Sequence, residues 1–396
     1  MKILFIAPLP PPVHGSAMVS QYIKDSRLVN EQHDCDFVNL STSRRMNEIG
    51  KGGIKKLLRF VGAYLTLLWK LLTRRYDLCY LAITCHGVGF LKDAPFVLLC
   101  KLFRRKVMIH QHNKGMSRYV ERWPYRWLLP LVYRNTRVML LSWQLYDDIA
   151  AVVKREQVVV CANGVPPLKV IGDGGSRAAG YRSEVNGDGG SGAAAHNPIT
   201  HNPITHNPIT NSQEPSALRL LFLSNLIPSK GVYVLLDACK ELRERGLTFA
   251  CDFVGGETKE IDRAAFEAAV RERGLEDMVH YQGPKYGEEK EQYWQRADVF
   301  VQPTYEDCFP LTIVEAMQHG KPVVSTEEGA VPDLVQDGVN GFVCPRQDAH
   351  ALAEALERLI ADPALRQQMG EAGYQRYREE FTLEVFECRF VDCLSS

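Results

Sequence analysis

The amino-acid sequence predicts an α/β protein with two βα domains, each built on a parallel sheet, and a low-complexity linker between them. A chain of 396 residues is too long for one ordinary hydrophobic core. Short β-rich runs alternate with helical stretches along both halves, which is typical of parallel sheets covered by helices. Because residues 172–215 differ in composition, we expect an N-terminal domain over 1–171 and a C-terminal domain over 216–380.

Six runs in the first half have the pattern of strands, since each is short, rich in β-branched or large apolar residues, and followed by turn residues or a helical pattern. These runs are 2–7, 35–40, 78–83, 106–111, 137–141 and 157–161. Six runs of the same kind follow in the second half. They are 218–223, 249–254, 278–281, 299–302, 322–325 and 341–344.

The segment 172–215 is rich in Gly, Ser, Ala and Asn and contains three tandem copies of His-Asn-Pro-Ile-Thr. It cannot form a core, and the proline in each repeat opposes both helix and central strand. A metal could in principle bind His196, His201 and His206, but a repeat without fixed geometry favours a flexible linker.

Charge is balanced over the whole chain, with 47 Lys and Arg against 47 Asp and Glu, but it is unevenly distributed. Residues 1–170 hold 26 basic and 11 acidic side chains, whereas residues 216–396 hold 19 and 32. A basic first half indicates an anionic partner such as a membrane surface, a phosphorylated substrate or nucleic acid. A chain that is 45% hydrophobic and 24% charged is not wholly disordered, collagenous or uniformly basic.

Cysteine usage and hydropathy predict a cytoplasmic protein. The eleven cysteines include no C-x-x-C pair, so neither a disulfide framework nor a zinc ribbon is indicated. The first apolar run ends at Pro8 without the small-residue cleavage site of a signal peptide. The most hydrophobic later stretch, 57–72, is interrupted by Arg59 and Lys70, and its uncharged run is shorter than the ~20 residues that cross a bilayer.

Ligands of open parallel sheets bind beyond the carboxyl ends of the strands, so the residues that follow each strand are candidates for a site. Gly15 follows the first strand and precedes a helix, where a glycine permits close approach of a ligand to the backbone. No dinucleotide fingerprint and no Walker loop occur, so the sequence gives no support to an NAD enzyme or an ATPase.

Two histidines, His110 and His112, share one face at the end of the fourth predicted strand. They could supply two metal ligands, but no third ligand with suitable spacing follows. One buried, satisfied histidine and one exposed histidine would be the structural alternative to a functional His112. Its place at the end of a strand favours function.

The densest candidate site lies in the second half, where Asp307 and Glu315 are eight positions apart and Pro310 lies near the start of a predicted helix. Free amides around Phe309 and Leu311, with the positive end of the helix dipole, suit a diphosphate. Carboxylates accept hydrogen bonds from sugar and ribose hydroxyls, so one helix start could hold both halves of a nucleoside diphosphate sugar. The alternative is an acidic helix cap with a solvated glutamate.

Lys230 lies at another strand-to-helix turn and is a suitable point charge for phosphate. With this turn and the 307–315 run, the second half resembles the retaining glycosyltransferases of family four, which have the two-domain GT-B fold. The matching runs are 223–231, 253–256, 282–284, 297–303, 307–315, 320–325, 329–335 and 340–343. The first half looks similar more loosely, through Gly15, His112, 141–142 and 163–166.

The resemblance implies two Rossmann-like domains that face each other across a cleft, with a last helix over 381–396 crossing back to the first domain. It implies that Glu315 holds the nucleotide ribose, that Lys230 neutralises the diphosphate, and that His112 contacts the transferred sugar. His112 and Asp307 are the implied catalytic residues. The implied donor-binding residues are Gly15, Asn225, Lys230, Phe309, Pro310, Leu311 and Glu315.

Two positions depart from the family pattern. Asp307 stands where the E-x(7)-E motif has its first glutamate, with Glu306 at a spacing of nine, and the shorter side chain must shift its loop to reach the same hydroxyls. Asn225 stands where many relatives have an arginine that pairs with Lys230. Stabilisation of the diphosphate would then depend more on Lys230 and the helix amides.

The implied reaction breaks the bond between the anomeric carbon and the diphosphate, so catalysis stabilises the leaving group and an oxocarbenium-like sugar. In retaining members the departing phosphate takes the proton of the acceptor. We therefore expect no dedicated general base, no cofactor and no metal, since no D-x-D-like cluster follows an appropriate strand.

Basic residues around apolar stretches of the first half indicate an interfacial helix on an anionic leaflet, and an ordinary core helix with solvated lysines is the alternative. They are Lys51, Lys55, Lys56, Arg59, Lys70, Arg74 and Arg75, then Arg104, Arg105 and Lys106, then Arg118, Arg122 and Arg126 around Trp123 and Trp127. Our hypothesis is a peripheral enzyme on the inner face of the cell membrane. Its acceptor would be a lipid-linked or other saccharide of surface-polysaccharide assembly, such as capsule or lipopolysaccharide.

Three other functions are compatible with parts of the sequence. A nucleotide-sugar epimerase has the same GT-B layout and needs only the donor. A non-catalytic nucleotide-sugar-binding protein could have lost turnover through Asp307 and Asn225. A nucleic-acid binder would explain the basic half but none of the second-half motifs, so nucleic acid is not an expected partner.

Overall fold

The computed structural model describes residues 1–11, 15–41, 53–168 and 218–395. The predicted linker over 172–215, its repeats with His196, His201 and His206, Lys51 and the side chain of Lys55 lie outside the described residues. Twelve strands of the described chain form two six-stranded parallel sheets, which confirms the predicted α/β class.

The first sheet has the strand order β2-β1-β3-β4-β5-β6, and every pair of neighbours is parallel. Its strands are β1 (Lys2–Ala7), β2 (Asp34–Asn39), β3 (Leu78–Ile83), β4 (Lys106–Gln111), β5 (Arg137–Leu140) and β6 (Val158–Val160). Its helices are α1 (Gly15–Asp25), α2 (Arg27–Gln32), α3 (Ile54–Thr73), α4 (Gly87–Leu102), α5 (Tyr125–Tyr133) and α6 (Tyr146–Ile149).

Alternate residues of β1 point to opposite faces of this sheet and define two helical layers. Leu4 and Ile6 lie in the same core cluster as buried residues of α3, α4 and α5. Ile3 and Phe5 lie in a second cluster with residues of α1 and α2. The helices α3, α4 and α5 therefore cover one face, and α1 and α2 cover the other.

The second sheet has the order β12-β11-β10-β7-β8-β9 and is also parallel throughout. Its strands are β7 (Leu218–Leu223), β8 (Phe249–Val254), β9 (Val279–Gly283), β10 (Val299–Gln302), β11 (Val323–Thr326) and β12 (Gly341–Cys344). Its helices are α7 (Val232–Glu244), α8 (Arg263–Glu272), α9 (Gly287–Arg296), α10 (Leu311–Gln318), α11 (Val331–Leu334), α12 (Ala349–Ala361) and α13 (Pro363–Arg376).

The direction of strand addition reverses once in each sheet, between β1 and β3 and between β7 and β10. At such a reversal the helices on either side leave to opposite faces, and a crevice opens beyond the carboxyl ends of the two strands. The loops that follow β7 and β10 are therefore brought together at one crevice.

The last helix, α14 (Leu383–Ser395), packs on the first sheet, beside α1 and α2. The ring of Phe390 lies 6.4 Å from that of Phe5 and 5.4 Å from that of Tyr80. The second half of the chain thus contributes part of the apolar cover of the first sheet.

The strand runs read from the sequence agree with the structure to within one or two residues at each end. The helix after Asp307 begins at Leu311, with Pro310 as its N-cap, slightly later than the start at Phe309 or Pro310 that the sequence predicts. Among the described residues, no helix combines the length and the apolar character needed to cross a bilayer.

Candidate active site

Lys230 and Asp307 meet at the crevice between β7 and β10. Lys230 ends a short 3-10 turn after β7, and its Nζ lies 2.5 Å from Oδ2 of Asp307 in the loop after β10. Gly231 has a φ of 87°, and a Cβ added there would lie 2.1 Å from the carbonyl oxygen of Pro303. A glycine is therefore required to bring the two loops this close. The sequence predicts both charged residues but not their ion pair.

Both carboxylate oxygens of Asp307 have partners within the chain. Oδ2 accepts from Lys230, and Oδ1 accepts from the backbone amide of Cys308 at 2.9 Å. The N-cap of α10 is Pro310, which makes no side-chain capping bond, so the alternative of an acidic cap on this helix is wrong. Asp307 instead positions the ammonium group of Lys230.

Glu328 is a functional candidate that the sequence analysis misses. Its side chain is fully buried, Oε1 accepts from the backbone amide of Asp307 at 3.0 Å, and Oε2 accepts from Arg346 at 3.1 Å. The ammonium of Lys114 also contacts Oε1. The available signal was its place directly after β11, where site residues of a parallel sheet are expected.

Glu315 lies in the middle of α10 and is not the solvated glutamate of the structural alternative. Oε1 accepts from Lys290 Nζ at 2.9 Å, and Oε2 is buried without a hydrogen-bond partner among the described residues. Burial, with the nearby charge of Glu315, raises the pKa of the Tyr22 phenol on α1 to about 12. A buried, unsatisfied carboxylate oxygen is costly unless a ligand donates to it.

Gly15 begins α1 and faces the first turn of α10. A Cβ added at Gly15 would lie 3.8 Å from Cδ1 of Leu311, which is ordinary van der Waals contact. The amides of the first helical turn have no acceptor within their own helix and carry the positive end of the dipole. The structure thus brings Gly15, Leu311 and Glu315 to one region.

Phe309 and Pro310 lead into this helix and are both buried. The ring of Phe309 lies 6.4 Å from that of Phe381. Their side chains are therefore part of the packing that holds the start of α10, and only their backbone groups are candidates for contact with a polar ligand.

His112 follows β4, and its ring centroid lies 4.0 Å from that of His110. Nδ1 of His110 is 2.5 Å from the hydroxyl of Tyr80, and burial holds the pKa of His110 well below its usual value, so this ring is neutral. His110 is thus the buried histidine of the structural alternative, but it is only partly satisfied, because its Nε2 is buried without a hydrogen-bond partner among the described residues. His112 is half-buried, two residues before Lys114, which contacts Glu328.

Asn225 holds two loops of the second sheet together. Its Oδ1 accepts from the backbone amide of Gly256 at 2.9 Å, which joins the loop after β7 to the loop after β8. Asn225, which stands where many relatives have an arginine, thus makes a structural hydrogen bond within the chain.

Polar contacts connect the two halves of the chain around the site. Arg118 Nη1 lies 2.7 Å from Oε1 of Glu306, the neighbour of Asp307. Ser142 Oγ donates to Asp333 at 2.5 Å. With the pair between Lys114 and Glu328, these contacts place loops of the first sheet opposite the crevice of the second.

Comparison with known proteins identifies the second half of the chain. Residues 209–376 match the family described as glycosyl transferases group 1. The chain is 35% identical over 148 residues to the amylovoran biosynthesis glycosyltransferase AmsK of Erwinia amylovora, which is 36% of each protein. It is 32% identical over 145 residues to the putative colanic acid biosynthesis glycosyltransferase WcaL of Escherichia coli K12, 35% of each. Each match thus spans about a third of the relative's length.

Structural comparison covers both sheets. The Anabaena protein HepE, crystallised in complex with UDP, superimposes with a TM-score of 0.69 over all of both chains at 17% identity. At this identity the likeness shows the fold, which is GT-B.

Proposed function

Because residues 209–376 belong to the group 1 glycosyltransferases and the chain has the GT-B fold, we propose that the protein transfers a sugar from a nucleoside diphosphate sugar, with retention of anomeric configuration, to a saccharide acceptor. The donor lies in the crevice between β7 and β10. The unsatisfied buried oxygen of Glu315 carries this proposal.

Glu315 is suited to hold the ribose of the donor. One of its oxygens is paired with Lys290, and the other is buried with no donor among the described side chains. A ribose diol supplies hydroxyl donors, and hydrogen bonds to an ionised acceptor are about twice as strong as neutral ones. Binding of the nucleotide would satisfy an oxygen that the protein alone leaves without a partner.

Lys230 and the start of α10 are suited to hold the diphosphate. Lys230 supplies a positive charge whose position Asp307 maintains, at 2.5 Å. The first-turn amides of α10 supply backbone donors and the positive end of the helix dipole. Gly15, opposite Leu311, leaves room for the anion because it has no side chain.

Transfer then needs no general base from the protein. The anomeric carbon–oxygen bond to the diphosphate breaks and leaves the electron pair on the phosphate, where Lys230 and the helix amides stabilise it. The acceptor hydroxyl attacks from the same face and gives its proton to the departing phosphate oxygen. We assign His112, at the end of β4, to contact with the transferred sugar. No cofactor or metal takes part in this scheme.

We place the acceptor on the side of the first sheet. The named relatives act in amylovoran and, as a putative assignment, in colanic acid biosynthesis. A lipid-linked saccharide acceptor in surface-polysaccharide assembly, used by an enzyme on the inner face of the cell membrane, accounts for the family and for the basic first half.

A thermal-shift screen with UDP, GDP and ADP sugars tests the donor site, because a bound ligand raises the melting temperature. One donor class should stabilise the protein. Glu315→Ala should abolish that shift and Lys230→Ala should weaken it, while Glu354→Ala, an exposed glutamate on α12, should retain it. A full shift in Glu315→Ala would contradict the site.

The variant Gly15→Ala tests whether the donor contacts Gly15, in a protein whose folding is not expected to change. Its added methyl would make only an ordinary contact with Leu311, so the unfolding temperature without ligand should stay unchanged. Weaker donor binding in this variant would mean that the space above Gly15 is used by the donor.

Analysis of the reaction products distinguishes the transferase from two alternatives, an epimerase and a non-catalytic binding protein. Incubation of the bound donor without acceptor should give at most slow hydrolysis, whereas isomerisation of the free sugar nucleotide would favour an epimerase. Binding without hydrolysis or transfer to any saccharide would favour a non-catalytic protein, which the positions of Asp307 and Asn225 make worth testing.

A further inference from the structure

The exposed apolar residues of the protein are concentrated on one helical layer. Seventeen large hydrophobic side chains are exposed among the described residues, and twelve of them lie on α3, α4 and α5 or directly before α5. They are Ile54, Leu57, Leu58, Val61, Leu65, Trp69, Leu72, Val88, Leu102, Trp123, Trp127 and Leu131. Because α3, α4 and α5 cover the same face of the first sheet, these side chains belong to the outer surface of one layer.

Helix α3 has two apolar stripes. Phe60, Tyr64, Leu67 and Leu71 form the inner stripe, and the rings of Phe60 and Tyr64 pack on Phe96 of α4 at 5.4 and 5.7 Å. The second stripe follows steps of three or four residues along the helix and remains exposed at positions 54, 58, 61, 65, 69 and 72. A helix that packs on a core needs only the first stripe. The alternative of an ordinary core helix explains the inner stripe alone.

A second part of the surface lies around α5. Trp123 is 81% exposed and Trp127 is 66% exposed. Lys101 at the end of α4 donates to the carbonyl of Leu131 at 3.0 Å, which brings the exposed Leu102 and Leu131 to neighbouring positions. The guanidinium of Arg126 lies 4.9 Å from the ring of Trp127. Tryptophan beside arginine is typical of residues that lie at the boundary between lipid and water.

The net charge of residues 54–134 indicates which kind of partner this surface binds. Residues 54–134 contain sixteen Lys and Arg but only three Asp and Glu, so they account for most of the positive charge of the first half. No acidic residue occurs within α3. A large exposed apolar area marks an interaction site, and a basic rim around it favours an anionic, apolar partner.

We propose that the outer face of the α3–α4–α5 layer, defined by the twelve exposed residues above, is a docking surface for an anionic lipid bilayer. Its leucines and tryptophans enter the headgroup region while the basic side chains around them contact lipid phosphates. The loop before α5 also carries Arg118, whose pair with Glu306 lies next to Asp307, so docking would hold the mouth of the crevice near the bilayer. This inference rests on the proposed function and extends it, because a lipid-linked acceptor would be presented at the bilayer surface on which the protein docks.

Co-sedimentation of the full chain with vesicles tests this surface. We expect the wild-type protein to pellet with vesicles that contain phosphatidylglycerol at low salt, and less with pure phosphatidylcholine or at high salt. The double variants Trp123→Ser/Trp127→Ser and Leu58→Ser/Leu65→Ser should each lower partitioning at least about tenfold. Tyr286→Ser, which removes a 74% exposed aromatic ring from the second half, is the matched control and should pellet as wild type.

Three results would overturn the proposal. The first is a wild-type protein that stays in the supernatant with phosphatidylglycerol vesicles. The second is a pair of double variants that pellet as wild type. The third is a wild-type dimer, seen by analytical ultracentrifugation, that these substitutions dissociate, because the surface would then bind a second copy of the chain.

The test is independent of the donor site. Both double variants should keep the wild-type thermal shift with the nucleoside diphosphate sugar. If vesicle binding is lost while the donor shift remains, the docking surface is supported. If no donor binds but vesicle binding depends on these residues, the docking surface stands and the proposed function fails.

Discussion

The two sheets of this protein have the same number of strands but very different outer surfaces. Of the seventeen exposed large hydrophobic side chains among the described residues, fifteen lie in residues 1–168 and only Tyr286 and Val339 lie in residues 218–395. Apart from α14, which covers part of the first sheet, the second half buries its large apolar residues in the interior, and its candidate site residues are polar groups in the loops after the strands and on α10. Under the two proposals above, one architecture would serve two purposes, with binding of a small ligand in one half and contact with an extended surface in the other.

The acidic residues of the candidate site differ from the exposed apolar residues of the first half, because each of them has a charged partner within the chain. Asp307, Glu315 and Glu328 all have basic partners at hydrogen-bond distance or closer. The pair of Lys230 with Asp307 joins the loops after β7 and β10, and the pair of Lys114 with Glu328 joins the loops after β4 and β11. Substitutions in the two regions should therefore have effects of different kinds, and the following predictions are ordered from the largest effect to the smallest.

The largest effect is expected at the crevice. Lys230→Ala should lower kcat for transfer by two to three orders of magnitude, about 3–4 kcal/mol of transition-state stabilisation, because the leaving diphosphate loses its nearest cation. Lys240→Ala, which removes a half-exposed lysine of α7 that lies 3.8 Å from Glu244, is the control. Initial rates of nucleoside diphosphate release measure both variants. Equal rates would remove Lys230 from the mechanism.

A second experiment compares the two stripes of α3. Leu67→Ala should lower the free energy of unfolding by about 3 kcal/mol, since Leu67 is fully buried and its truncation leaves a cavity. Leu65→Ala should change it by less than about 0.5 kcal/mol, because Leu65 is 56% exposed. Urea denaturation of the two variants measures the difference. Similar losses would mean that the outer stripe is part of the folded core.

Glu328 tests how far the crevice depends on a buried charge. Glu328→Gln should destabilise the protein by about 3 kcal/mol, because Lys114 and Arg346 lose the carboxylate that pairs with them. Its thermal unfolding can be compared with that of Glu354→Gln, whose carboxylate is mostly exposed. An unchanged melting temperature for Glu328→Gln would show that the cluster contributes little to folding.

The smallest effect concerns pH and the attachment of α3. Asp36 on β2 accepts from Lys70 at 2.7 Å, Arg74 at 2.8 Å and Tyr76 at 2.7 Å, and these hydrogen bonds outweigh burial and lower its pKa to about 2. A depressed carboxyl pKa stabilises the fold above the unfolded value of 3.8, and this contribution, about 2 kcal/mol, is lost as pH falls toward 2.

The measurement is the unfolding free energy between pH 5 and pH 2 for wild type and Asp36→Asn. The variant should be less stable at pH 5 and should lose less stability on acidification. If the two proteins show parallel pH profiles, the Asp36 cluster does not hold α3 to the sheet.

Much of this fold could be predicted because its signals are local. Runs such as Leu78–Ile83 are continuous and apolar, as is typical of strands buried on both faces, and turn residues mark their ends. The positions of Lys230, Asp307 and Glu315 followed from the rule that ligands bind at the carboxyl ends of parallel strands.

The remaining features depend on contacts between residues far apart in the chain. The pair between Lys230 and Asp307 spans 77 positions, and no local pattern indicates it. Glu328 lies after a strand, as a site residue should, but its importance depends on Lys114 from the other sheet. The outer stripe of α3 was visible as hydrophobicity, yet the sequence left open which of the apolar positions face the core.

The last helix has a consequence for how the protein is made. Phe386 and Phe390 of α14 are fully enclosed against the first sheet, whose strands leave the ribosome long before them. Until α14 has been synthesised, this part of the apolar face of the sheet has no cover, and exposed apolar surface on an incompletely folded chain favours aggregation. The domain that is synthesised first therefore receives its complete apolar cover only after α14 has been synthesised.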